Sequence, residues 1–299
     1  ALADRIHPTP GGHPLDDARV RVHVEDGRYF LQTTRARFDL ITAEPPPPAF
    51  AGVVNLYTRE DFALIRERLN DGGLTSYWLP VSQMRPRDAK AIVHAFCDVF
   101  PDCSLWEANP PDWILLGSRD AQTPVPEPRV RALWSDARTG ASLREIGLEH
   151  PGQLGALYLS GGAHLRAWAS DAPPLVDAHP ERAPAFVPSW ERIPEEFAWI
   201  RDARANAERF TDDPMVRALW PAPLRAEARD FFPLANFVRQ ALLAPTADPN
   251  RLVEQLYLVA TQTSLAAPVL WVVGSDVRIV DAAERMWARG DRSAEVDRQ

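Results

Sequence analysis

The sequence predicts an α/β fold in which helices cover both faces of a partial, mostly parallel sheet, and an all-α region follows. Apolar and polar residues alternate at Val20, Val22 and Val24, which is the period of a strand. Strand and helix patterns then alternate along residues 38–100, as in parallel sheets with helical crossovers. Two short apolar segments after them predict terminal antiparallel strands at the end of the sheet.

The first two predicted strands are each followed by an acidic residue. The strand over residues 20–24 ends at Asp26, and a short helix is expected over residues 28–34. The apolar run over residues 38–43 predicts the next strand. Glu44 follows it and opens a loop of four consecutive prolines, which cannot continue a strand ladder because proline lacks the backbone N–H.

Capping and turn signals mark the elements that come next. Thr58, with Asp61 three residues on, predicts the start of a helix. An Asp-Gly-Gly run at residues 71–73 predicts a turn before a strand over residues 74–79. The remaining predicted elements are a helix over residues 86–100 and antiparallel strands over residues 104–107 and 113–117, joined by a tight turn at residues 109–111.

Composition divides the chain into three predicted regions. Residues 1–120 form the α/β domain, and residues 121–190 form a helical and loop extension of it. Residues 191–299 form an α-helical C-terminal region. Amphipathic patterns predict helices over residues 195–210, 225–243, 251–265 and 277–287.

The bulk composition argues against several classes of protein. A net charge of -8 and a pI of about 5.4 argue against a nucleic-acid binder, whereas an acidic pocket would attract a small cation. No apolar run reaches the length of a membrane span. The first residues have no signal-peptide core, so that we expect a cytoplasmic protein.

The cysteine content predicts reduced thiols and no structural zinc. Cys97 and Cys103 are six residues apart, and no cluster of His or Cys lies near them. A disulfide framework is therefore not expected in this protein, and no metal is expected as a cofactor.

Several motifs, taken in order, resemble the spermidine synthase family of aminopropyltransferases. They are VEDGRYFL at residues 24–31, FDLITAEPPPPAFAGVVNLYT at residues 38–58 and NDGGLTSYWLP at residues 70–80, with fainter matches in WILLGS at residues 113–118 and APPLVDAHPE at residues 172–181. The resemblance implies a Rossmann-like fold of the methyltransferase type. It also implies S-adenosylmethionine or decarboxylated S-adenosylmethionine as substrate, and no metal. The family's glycine-rich loop has no counterpart in residues 1–19.

The resemblance assigns roles to two acids that follow predicted strands. Asp26 would accept a hydrogen bond from the adenine amino group, and Gly27 would allow the nucleoside to approach closely. Glu44 would contact the same cofactor and act as the catalytic base that deprotonates the amine. The alternative for Asp26-Gly27, which we favour less, is a common turn-forming pair. For Glu44, an exposed acid before a proline loop is an equally good explanation.

Four further residues are candidates for substrate binding. Asn55 and Tyr57 follow the proline loop, and Tyr77 or Trp78 stands in place of a glutamine that the family has near the end of the following strand. Asp177 lies in a later loop that would fold back over the cleft. The second acid of the family's loop falls on Pro47, so that Glu44 is expected to hold the amine alone.

Three functions stay open at this point. The first is aminopropyl transfer to an amine, with a nucleoside and an amine as small-molecule partners. The second is a non-catalytic scaffold derived from the same fold, and the third is methyl transfer. An unpaired strand at residues 20–24 would need cover, so that a homo-oligomer or a partner chain over this sheet edge is also expected.

Overall fold

The computed structural model describes residues 15, 17–50, 52–108, 112–145, 148–181, 197, 199 and 202–242. Contacts between Cα atoms divide the chain into two units, residues 1–36 and residues 37–299, and each is described by itself.

The first unit contains one described helix, α1 (Gly27–Thr33), which confirms the short helix expected here. Asp26 is its N-cap, and the Asp26 carboxylate accepts a hydrogen bond from the backbone N–H of Tyr29 at 2.8 Å. The strand predicted over residues 20–24 is wrong, because these residues form no strand and Val24 is 97% exposed. A strand needs a neighbour for its backbone groups, and no described strand pairs with this segment.

The second unit is built around a five-stranded sheet with the order β1-β2-β4-β3-β5. β1 and β2 are parallel, whereas β2 with β4, β4 with β3, and β3 with β5 are antiparallel. The α/β class and the terminal antiparallel strands are therefore confirmed, but only one described pair is parallel. The strands are β1 (Phe38–Ala43), β2 (Leu69–Leu79), β3 (Ser104–Glu107), β4 (Trp113–Ser118) and β5 (Tyr158–Gly161).

β2 begins earlier than the sequence indicates, and the turn predicted at residues 71–73 is wrong. Phe38 pairs with Leu69, but Leu40 pairs with Leu74, so that extra residues of β2 bulge between these two pairs. Gly72 supplies the positive φ of 80° that the bulge requires. The Asp-Gly-Gly run therefore bends a continuous strand instead of preceding one.

Helices cover both faces of the sheet. Helices α2 (Arg59–Arg68) and α3 (Pro86–Val99) lie on the face of Tyr77, where the ring of Phe62 meets the rings of Tyr77 and Phe96 edge to face. Both helices confirm predicted elements. Trp106 projects from the opposite face and packs against Tyr158, Phe210 and Trp220.

The later helices are partly those expected. They are α4 (Glu127–Ser135), α5 (Ala137–Glu145), α6 (Pro151–Gly155), α7 (Gly162–Ala169), α8 (Ala203–Asp212), α9 (Pro214–Leu219) and α10 (Ala222–Leu242). α8 and α10 overlap the helices predicted over residues 195–210 and 225–243. The predicted turn at residues 109–111 and the helices predicted over residues 251–265 and 277–287 lie outside the described residues. The predicted region boundaries stay predictions.

A disulfide joins Cys97 to Cys103, so that the prediction of reduced thiols is wrong. Cys97 is in α3, and the chain turns directly after this helix, where the N–H of Cys103 donates to the carbonyl of Phe100 at 3.0 Å. The turn brings the two Cα atoms to 5.3 Å, a separation that a disulfide spans. The expected cytoplasmic location stays a prediction.

None of the described helices is both long and apolar enough to cross a membrane.

Candidate functional site

Glu44 stands at the edge of the sheet where the parallel strands β1 and β2 end. It directly follows Ala43, the last residue of β1, which pairs with Tyr77 of β2. Its side chain is exposed, and no hydrogen bond or ion pair reaches its carboxylate from the described residues. In open α/β sheets ligands bind at the carboxyl ends of parallel strands, so that Glu44 is placed to meet a cation from solvent.

The proline loop after Glu44 is held by Tyr57. The Tyr57 hydroxyl donates to the carbonyl of Pro45 at 3.0 Å and lies 3.2 Å from the carbonyl of Pro46. Burial raises the pKa of Tyr57 far above its usual range, so that the hydroxyl keeps its proton and remains a donor. The residue is fully buried, and its hydroxyl contacts backbone and fixes the loop that begins at Glu44.

Tyr77 contacts Tyr57, and Asn55 lies two residues before Tyr57 in the chain. Tyr77 is buried, its hydroxyl donates to the carbonyl of Leu56, and its ring meets that of Tyr57 edge to face at 5.6 Å. Asn55 belongs to a 3-10 helix, Val53–Tyr57, and is half-buried. The structure thus brings Asn55, Tyr57 and Tyr77 together below the proline loop, and their role in substrate binding stays a prediction.

Asp177 is hydrogen-bonded to residues at the start of α2. The Thr58 hydroxyl lies 2.7 Å from the Asp177 carboxylate, and the backbone N–H of Asp177 donates to the Glu60 carboxylate at 2.9 Å. The backbone N–H of Arg59 also donates to the carbonyl of Leu175 at 2.9 Å. Tyr57 and Thr58 are neighbours in the chain. One short segment therefore holds both the proline loop and the loop of residues 171–181, which we call the Asp177 loop.

A cleft of about 810 Å³ opens between these two loops and α3. Pro48 of the proline loop lies on one side, and the Asp177 loop supplies most of the other. The charged and titratable side chains that line the cleft are Arg59, Arg87, Asp88, His179 and Glu181. The resemblance implies that the loop around Asp177 folds over the cleft, but no sequence pattern indicates that Arg59 and α3 line it. These residues come together only when the 171–181 loop docks on α2 and α3.

Asp26 and Gly27 belong to the first unit, and their proposed contact with the adenosyl group stays a prediction. In the structure the Asp26 carboxylate caps α1, and a Cβ built on Gly27 would meet no atom within 4 Å. Close packing therefore does not require a glycine at this position. The carboxylate keeps one oxygen, Oδ2, that no hydrogen bond within the described residues occupies.

Within the part of the chain that the structure describes, no group of three or more His, Cys, Asp or Glu side chains has an arrangement suited to a metal ion.

Comparison with known proteins identifies the N-terminal segment. Residues 6–111 match the family model of the spermine/spermidine synthase domain. The chain is 30% identical over 69 residues to the polyamine aminopropyltransferase of Korarchaeum cryptofilum, which is 23% of this chain and 21% of that protein. It is 27% identical over 100 residues to polyamine aminopropyltransferase 1 of Pseudomonas aeruginosa, which is 33% of this chain and 35% of that protein.

The matched segment thus spans about a fifth and a third of the length of these two curated relatives. The family match includes Asp26, Gly27, Glu44, Tyr57 and Tyr77, whereas the Asp177 loop lies beyond it. The order of strands β1, β2 and the β3–β4 pair agrees with the α/β fold that the resemblance implies. Over residues 6–111, the chain is similar to the spermine/spermidine synthase domain.

Proposed function

We propose that this protein takes part in aminopropyl transfer from decarboxylated S-adenosylmethionine to an amine, with Glu44 as the catalytic base. One observation carries the proposal. Glu44 presents a carboxylate with no partner among the described residues at the carboxyl end of a parallel strand, directly before a loop of fixed shape. An ammonium group is the complement of such an acid.

The chemistry needs a neutral amine next to a sulfonium. Glu44 accepts a proton from the acceptor ammonium, and the freed nitrogen lone pair attacks the aminopropyl methylene carbon that is bonded to sulfur. The new C–N bond forms as the C–S bond breaks. The bonding pair stays on sulfur, which leaves as the neutral thioether methylthioadenosine, so that atoms and charges balance.

The surrounding residues position the Glu44 carboxylate and the two substrates. Tyr57 holds the carbonyl groups that follow Glu44, so that the carboxylate starts from a defined place, and correct placement of reacting groups supplies a large part of catalysis. Tyr77 supports the same layer through the carbonyl of Leu56. Asp26 and Gly27 are the proposed adenosyl contacts, and Asn55 and Asp177 are the proposed residues at the mouth of the amine site.

The test is the formation of methylthioadenosine by the full chain supplied with decarboxylated S-adenosylmethionine and a diamine. Glu44→Gln should lower the rate by about 10²-fold or more, because it removes the base, while calorimetry finds unchanged affinity for methylthioadenosine. Glu208→Gln replaces an acid that is also exposed, on α8, and should change neither quantity. A Glu44→Gln variant with the wild-type rate would remove Glu44 from the mechanism, and wild-type protein without turnover would reject the proposal.

A second candidate is a non-catalytic role in binding a partner chain, and an observation at β1 favours it. β1 is at the end of the described sheet, and Leu40 on this strand is 59% exposed. Exposed strand edges pair readily with other chains. Light scattering on the purified protein decides this point. A stable dimer that dissociates into monomers in the Leu40→Lys variant supports the role, and a monomer at high concentration rejects it.

A further inference from the structure

The cleft beside the proline loop has a charge arrangement that bears on the acceptor. Resting on the function proposed above, we infer that this cleft receives a carboxylate and that the acceptor is an ω-amino acid, with its amine at Glu44 and its acid group at Arg59. Pro48, a cleft residue, is four residues after Glu44, so that the backbone between them spans at most about 14 Å. A molecule that binds at both places must therefore be elongated.

The acids that line the cleft are already neutralised. The Asp88 carboxylate accepts two hydrogen bonds from the Arg85 guanidinium, each at 2.8 Å. The Glu181 carboxylate accepts one from Arg87 at 3.0 Å. The second ammonium of a diamine would therefore compete with an arginine for either acid, and the cleft offers it no free carboxylate among its described lining residues.

Arg59 is the cation that remains available. The closest carboxylate oxygens, on Glu60 and Asp98, are 3.8 and 4.0 Å from its guanidinium, beyond hydrogen-bond distance. Glu60 uses its other oxygen to accept the N–H of Asp177, and Asp98 also lies 3.7 Å from the His94 ring. No described residue accepts a hydrogen bond from the Arg59 side chain, whose planar fork suits a carboxylate.

The rest of the lining favours a hydrocarbon body between the two ends. All the other lining residues are apolar. Four of them are prolines, which offer no N–H donor: Pro48, Pro173, Pro174 and Pro180. His179 adds an exposed ring with no hydrogen-bond partner among the described residues. The cleft therefore fits a methylene chain that ends in a single negative charge.

Matched probes of equal length test the inference on the full chain by calorimetry. The pairs are 4-aminobutyrate with 1,4-diaminobutane, and 6-aminohexanoate with 1,6-diaminohexane, with hexanoate as a probe that lacks the amine. In at least one pair the amino acid should bind about tenfold more tightly than the diamine. Arg59→Gln should abolish that preference and hexanoate binding, Arg59→Lys should keep part of both, and Arg204→Gln, on α8, should change neither.

The outcomes separate the two proposals. Tighter binding of the diamines to the wild type, or an amino-acid preference that survives Arg59→Gln, overturns the inference even if Glu44→Gln abolishes turnover. If no amine is turned over and Glu44→Gln changes the binding of no probe, the proposed function fails, and the ω-amino-acid acceptor fails with it. Arg59-dependent hexanoate binding would in that case identify the cleft as a carboxylate site unconnected with aminopropyl transfer.

Discussion

The hydroxyl of Thr58 lies 2.7 Å from the carboxylate of Asp177, a residue 119 positions further along the chain. Thr58 is also the N-cap of α2, where its hydroxyl accepts the N–H of Asp61 at 3.4 Å. A single side chain thus starts the helix after the proline loop and fastens the loop that closes the cleft. The candidate site depends on this long-range contact, which connects the family segment to the chain that follows it.

Thr58→Ala should destabilise the protein by about 1–2 kcal/mol, because it removes both the helix cap and the contact with Asp177. Urea unfolding measures this change. Thr58→Ser keeps the hydroxyl and should restore most of the loss. Limited proteolysis within residues 171–181 should also become faster in the alanine variant, and an unchanged cleavage rate would show that Thr58 does not fasten this loop.

Tyr57→Phe should lower stability by about 1–3 kcal/mol, because the buried carbonyl of Pro45 loses its donor while the ring stays packed. If the proline loop positions Glu44, kcat for aminopropyl transfer should also fall. Tyr29→Phe removes the hydroxyl of an exposed tyrosine and should affect neither measurement. A variant as stable as the wild type would mean that the loop keeps its shape without this hydrogen bond.

Local signals predicted the elements of the site well. β1 has the bounds that its apolar run indicates, and α2 begins at the residue that the Thr58 cap indicates. These signals act within a few residues, so that sequence spacing carries them. Because β1 ends where its apolar run ends, Glu44 lies directly after the strand, as the sequence predicts.

Elements that depend on distant partners were not predictable in this way. β5 has four residues and becomes a strand by pairing with β3, about fifty residues earlier. The sequence predicts only helices and loops for this region, because so short a segment carries no strand pattern of its own. Residues 20–24 are the opposite case. They alternate between apolar and polar residues as a strand does, but no described strand lies beside them to pair with, and they form no strand. The cleft likewise needs the docked loop around Asp177, which no local pattern reports.

Reduction of the Cys97–Cys103 disulfide should lower stability by about 2 kcal/mol, the value that the chain-entropy model gives for so short a loop. Thermal unfolding with and without dithiothreitol measures the difference. A Cys97→Ser, Cys103→Ser double variant should be less stable and should not respond to the reductant. A wild-type protein whose unfolding is equally insensitive would contradict the disulfide.

Asp213 should make stability fall as pH rises. It is buried, and its carboxylate accepts hydrogen bonds from the Tyr158 hydroxyl and from the backbone N–H of Val216, both at 3.0 Å. Burial raises the pKa of Asp213, and these hydrogen bonds offset only part of that increase. The folded protein therefore holds this proton more tightly than the unfolded chain does.

The sign of the effect follows from that difference. The contribution of Asp213 to the free energy of unfolding is complete below the unfolded pKa of 3.8 and is lost as pH rises through the higher folded value. Asp213→Asn removes the titration, so that the stability of this variant relative to the wild type should increase from about pH 3.5 to pH 7. Urea unfolding across this range measures it, with Asp212→Asn, an exposed neighbour, as the control. A relative stability that stays constant or decreases would show that Asp213 is not held in its protonated form by burial.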